Sequence, residues 1–120
     1  MKTQLELARE GVMTPQMKRV AEDEGMDSKC VQTRVAAGEI VIPNHPARPR
    51  QRVVGIGTGL RTKVNGSIGT SSDICDIDLE VKKARAIQEE GADTLMELSA
   101  GGDLDAVRRA VLDACDLPVG

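Results

Sequence analysis

The sequence of 120 residues contains no Phe, Tyr or Trp. Aromatic side chains bury about 150–250 Å² each and dominate most cores, so a core here must rest on Val, Ile, Leu, Met and Ala. Such a core suits part of a larger fold better than a self-sufficient one. No apolar run approaches the roughly 20 residues that a membrane-spanning helix needs. The opening "MKTQLELARE" carries charges where a signal peptide would have its apolar stretch. Both absences point to a cytoplasmic protein with no membrane partner. The three cysteines, Cys30, Cys75 and Cys115, are widely separated, and no pair has the short spacing of zinc or iron–sulfur ligands. No metal site is expected from them. Cys30 and Cys115 read as small core hydrophobes on helices, and Cys75 as more exposed. Basic character is also thin. Net charge is −3, and the one basic cluster is "ARPRQR", Ala47 to Arg52. Nothing aromatic stands beside it to stack on bases, so it reads as a solvated connector and nucleic acid as no partner. The single histidine, His45, lies between Asn44 and Pro46 and reads as a surface residue.

What is present begins with helices. Thr3 and Glu6 make a T-x-x-E capping box, with Gly11 as the stop. Thr14 caps a second helix, with Pro15 at its first position and Gly25 beyond its last. Its apolar face carries Met17, Val20 and Ala21. Asp27 or Ser28 opens a third helix, bearing Val31 and Val35 and ending at Gly38. "EIVIP" (Glu39 to Pro43) and "RVVGIG" (Arg52 to Gly57) read as strands around a proline-rich loop. The glycines of "GIGTGL" invite a dinucleotide reading. However, the third position of G-x-G-x-x-G falls on Leu60 and no helix follows to receive a pyrophosphate.

The second half alternates. A strand is expected over Thr62 to Gly66, followed by the loop of "TKVNGSIGTSSD" and a helix near Ile77 to Glu90 with Ile77, Val81, Ala84 and Ile87 as its buried stripe. "DTLMELS" is a second strand. Asp103 caps a last helix carrying Leu104, Val107, Val111 and Ala114, and "DLPVG" starts a third strand. Strand–helix–strand–helix–strand order builds parallel sheets, and a closed barrel of this type needs about eight strands and roughly 250 residues. The fold class is therefore α/β: a small N-terminal helical and short-strand segment (residues 1–60), then the first βα units of an incomplete (β/α)8 barrel (residues 61–120), truncated at the third strand. The chain reads as a fragment. In such a barrel the strand C-termini form the active face, which places Asn65 and Ser67 where a ligand would be held. By alternation Thr94, Met96 and Leu98 share one strand face, with Glu97 and Ser99 on the other. The loop lacks G-x-x-x-x-G-K-S/T, so it is not a P-loop. By itself it reads first as a polar strand end that caps the next helix.

Four stretches, "TQLELAREGVMTPQM", "IVIPNHP", "GLRTKVNGSIGTSSD" and "GADTLMELSAGGDLDAVRRAVL", occur in this order over nearly the whole chain. Together they resemble the N-terminal part of phosphomethylpyrimidine synthase, the pyrimidine-forming enzyme of thiamine biosynthesis. The resemblance implies a radical S-adenosylmethionine enzyme that rearranges aminoimidazole ribotide into hydroxymethylpyrimidine phosphate, a carbon–carbon lyase on a barrel and a homodimer when full length. The family pattern is similar to K-V/I-N-A-N-I-G and G-A-D-T-V-M-D-L-S-T-G. Carried over, its substrate-contacting second Asn falls on Ser67 and its substrate-contacting Met on Met96. No catalytic residue is assigned. The chain departs from the pattern at Gly66 (for Ala), Ser67 (for Asn), Glu97 (for Asp) and Ala100 (for Thr). Ser67 keeps a hydrogen-bonding group but loses the paired amide donor and acceptor. The C-x-x-C-x-x-x-x-C motif that holds the family's 4Fe–4S cluster, and the histidines of its additional zinc-type metal, have no counterpart in these residues. The chain by itself is thus expected to be inactive. A sister reading is the anaerobic hydroxybenzimidazole synthase, similar in fold and substrate but forming another ring. A reading from a different class is a non-catalytic α/β module that binds a phosphoribosyl ligand.

Overall fold

The computed structural model describes residues 2–120, which divide into two compact units. One comprises residues up to Pro49 together with Val53–Thr62, and the other Arg50–Arg52 with Lys63–Gly120.

The first unit opens with α1 (Gln4–Arg9), α2 (Pro15–Glu24) and α3 (Ser28–Ala37). Each begins at a side-chain cap that satisfies amide groups the helix itself cannot. Thr3 and Glu6 close the expected capping box, the Thr14 hydroxyl accepts from the Met17 N–H, and Asp27, rather than Ser28, caps α3 through the N–H groups of Lys29 and Cys30. Gly25 and Gly38 end α2 and α3 in the left-handed conformation. Strands β1 (Ile40–Val41) and β2 (Ile56–Gly57) pair antiparallel. The strand expected over Arg52 to Gly57 is thus only two residues long, because β1 offers a ladder of that length. The apolar faces meet in one cluster of Ala8, Met17, Val20, Ala21, Val31, Val35, Ile40 and Ile42. His45 is exposed, its Nδ1 accepting from the Ala47 N–H. After Gly57 the chain turns with no helix following.

The second unit runs β3 (Asn65–Ile68), α4 (Ile77–Glu89), β4 (Thr94–Glu97) and α5 (Leu104–Ala114). Strands β3 and β4 pair parallel, with Asn65 opposite Thr94 and Ser67 opposite Met96. Val119 bridges to Leu95, also parallel, so "DLPVG" adds a third line of backbone pairing beside β4. The unit is a mixed helix and strand arrangement with a small parallel sheet. The first strand starts three residues later and ends two later than Thr62 to Gly66, so Asn65 opens β3 instead of standing near its C-terminal end, and Ser67 lies within it. Its start is set by pairing rather than propensity: the Val64 carbonyl accepts from the N–H groups of Asp93 and Thr94, and the Val64 N–H donates to Asp93 Oδ2 at 2.7 Å.

The core of this unit consists of Ile68, Ala84, Leu95, Val107, Val111, Cys115 and Leu117. Of the expected α4 stripe only Ala84 is fully buried, with Ile77, Val81 and Ile87 partly so, and Glu80, which was not expected inside, is buried. Glu80 and Val81 both lie on the inward side at helical spacing, and the Glu80 carboxylate pairs with Lys83. Cys115 is buried, but at the C-cap of α5 rather than inside a helix. Cys30 is half-buried and Cys75 exposed.

Candidate functional site

The parallel pairing of β3 and β4 brings the three residues singled out from sequence onto one sheet face. Ser67 and Met96 are register partners, and Asn65 stands beside Thr94 two residues earlier. The Thr94 hydroxyl donates to Asn65 Oδ1 at 2.8 Å. Asn65 and Ser67 are exposed and Met96 is 36% exposed. The opposite face carries Ile68 and Leu95, both buried in the core formed with α4 and α5. One face is thus sealed by helices, while the other presents an amide, a hydroxyl and a thioether. A Cβ placed on Gly120 would stand 3.4 Å from the Met96 sulfur, so Met96 lies between Ser67 on one side and the third segment on the other. These residues form a face, not an enclosed cavity.

Gly66 has a local explanation. A Cβ there would come within 2.5 Å of the Ile87 side chain on α4. Ile87 occupies the space an alanine would take, so the helix seats closely behind the strand that carries Ser67.

The loops after β3 and β4 are tied to each other. A Cβ on Gly69 would lie 2.6 Å from the Leu98 carbonyl carbon, a close backbone approach that a side chain would block. The Thr70 N–H donates to Ser99 Oγ at 3.0 Å, and the Thr70 hydroxyl donates to the Gly101 carbonyl at 2.6 Å. The same hydroxyl accepts from the Gly101 N–H at 3.2 Å, and the Ala100 N–H donates to the Thr70 carbonyl at 3.0 Å. Behind them Glu97, its side chain 3% exposed, accepts from the Ser99 N–H and pairs with Arg108 of α5 at 3.3 Å. This longer carboxylate reaches the backbone and the helix at once. Glu97, Arg108, Leu112, Val119 and Gly120 line a pocket of about 340 Å³. Alternation puts Glu97 on the face opposite Met96, so this pocket is not where the residues expected to meet substrate lie.

Sequence reasoning singled out Asn65, Ser67 and Met96 and passed over Thr70 and Arg108. Thr70 read as one of several small polar loop residues, and nothing local to Arg108 marks it as a partner of Glu97. The three cysteines do not come together. Cys75 donates its Sγ–H to the Ser71 carbonyl on an exposed loop, and Cys115 is packed in the core. Among the described residues no group of three or more His, Cys, Asp or Glu side chains could hold a metal ion. The residues present do not fit a 4Fe–4S cluster, which requires gathered thiolates. No helix among them is long and apolar enough to cross a membrane.

The family model for the radical SAM ThiC family matches residues 3–120. The chain belongs to that family. Similar proteins include a 5-hydroxybenzimidazole synthase of Desulforapulum autotrophicum, 68% identical over the whole chain, and one of Geobacter sulfurreducens, 64% identical over the whole chain. Phosphomethylpyrimidine synthase 1 of Methanosarcina barkeri is 56% identical over 98% of the chain. The match spans 27% of the length of each of these relatives.

Proposed function

We propose that this chain is the N-terminal region of a radical S-adenosylmethionine synthase acting on aminoimidazole ribotide, with 5-hydroxybenzimidazole as the product. The observation that carries the choice of product is the order of identities. Four 5-hydroxybenzimidazole synthases stand at 58–68%, and four phosphomethylpyrimidine synthases at 52–56%. This reverses the order in which sequence reasoning put the two products. The motif that carries a substrate-contacting Met onto Met96 serves either product, since both readings start from the same ribotide.

Under this reading β3, α4, β4 and α5 are the first two βα units of a (β/α)8 barrel, and the open face with Asn65, Ser67 and Met96 looks into its interior. The parallel succession of β3, β4 and Val119 supports that arrangement. Asn65 and Ser67 offer hydrogen bonds to the ribotide, and Met96 gives it a polarisable apolar contact. The 4Fe–4S cluster, S-adenosylmethionine and the additional metal are held by residues outside this chain, in a cytoplasmic homodimer. The test is a single-turnover incubation of the full-length protein, reduced and anaerobic, with S-adenosylmethionine and aminoimidazole ribotide. The expected product by mass spectrometry is 5-hydroxybenzimidazole. Hydroxymethylpyrimidine phosphate in its place gives the second reading, and consumption of neither substrate removes both.

A further inference from the structure

The β3–β4 pair is pinned at both ends. Below Asn65 the pin is the exchange between Val64 and Asp93. Beyond Ser67 and Met96 the Leu98 N–H donates to the Ile68 carbonyl at 2.9 Å, and past that the pin is one buried residue, Thr70, 5% exposed. Its N–H, carbonyl and hydroxyl all bond to the 99–101 segment, through Ser99 Oγ, the Ala100 N–H and both backbone groups of Gly101. Thr70 lies three residues after Ser67, and Ser99 three residues after Met96. A hydroxyl that both donates and accepts across one gap fixes the separation of two loops in a way an apolar side chain of the same shape cannot.

We infer that Thr70 is a positioning residue for ribotide binding: its hydroxyl latches the two strand-end loops so that Ser67 and Met96 present a fixed spacing to the substrate. This rests on the substrate reading proposed above. Thr70→Val keeps shape and removes the hydroxyl, whereas Thr70→Ser keeps the hydroxyl. In the full-length protein, calorimetry with aminoimidazole ribotide should show about ten-fold weaker binding for Thr70→Val and a change of about two-fold or less for Thr70→Ser. Ser99→Ala, which removes only the acceptor for the Thr70 N–H, should cost about three-fold. Wild-type affinity in Thr70→Val overturns the inference, as does a loss in Thr70→Ser as large as in Thr70→Val. If Thr70→Val does not fold, Ser99→Ala decides, and unchanged affinity there overturns it. Should the wild-type protein fail to bind the ribotide, the substrate reading falls. The latch itself is then judged by amide exchange, where Thr70→Val must accelerate Gly101 and Thr70→Ser must not.

Discussion

The helical unit and the sheet unit treat their apolar residues differently. In the first, three capped helices and the β1 segment turn apolar residues onto one cluster, with Met17 and Val31 completely buried. In the second, two helices cover one side of a parallel sheet, and the other side stays open with Met96 at 36% exposure and Leu98 at 60%. Neighbouring residues on β4 therefore have opposite fates, Leu95 being 1% exposed. The first unit is organised to close a core, and the second to close half of one and offer the rest. That is what strands alternating with helices must do while only one face has helices against it.

Adjacent substitutions on β4 sharpen this contrast most. Leu95→Ala should cost about 2–5 kcal/mol of stability, the usual range for emptying a fully buried leucine site. Met96→Ala should cost less than about 1 kcal/mol yet weaken ribotide binding in the full-length protein. Chemical denaturation of both variants reads the first pair of effects. Equal losses would mean that the Met96 face is as sealed as its opposite. In the helical unit, Thr14→Ala should cost about 1–2 kcal/mol. Thr14 is buried, caps α2 and donates to Gln4 Oε1 at 2.7 Å, so its loss also loosens α1 from α2. A change confined to the sheet unit's amide exchange would break that assignment.

The smallest effect concerns pH. Glu6 is held below the usual carboxylate range, first by the Thr3 backbone N–H and then by the Thr3 hydroxyl. Because its folded value is depressed, the contribution to α1 is present above the unfolded carboxylate pKa and is lost as pH falls through the folded one. A carboxyl titration by NMR should place Glu6 below an ordinary glutamate, and Thr3→Ala should move it back up. Glu6 is fully exposed, so the stability change should be slight.

Much of this was legible along the chain. The caps at Thr3, Thr14 and Asp103 are signals of three or four residues, and the helices begin where those signals stand. The strands were less so. β3 starts at Asn65 rather than Thr62 because its ladder runs with residues that lie 29 positions ahead, and no local propensity encodes that register. Glu80 misled for a related reason: helical spacing allows either position 80 or 81 inward, and packing with a lysine partner chose the charged one.

By itself the sequence determined the helix starts, the alternation of strand and helix, the family, and the two motifs that carry Asn65, Ser67 and Met96. These depend on contacts within a few residues or on motifs read in line. Only the tertiary structure decided that Ser67 and Met96 stand side by side, that Ile87 fills the space Gly66 leaves, and that Thr70 ties the two loops. Those relations join residues about thirty positions apart in the case of Thr70 and Gly101, and only the closing of a β–α–β crossover brings such groups within hydrogen-bonding distance.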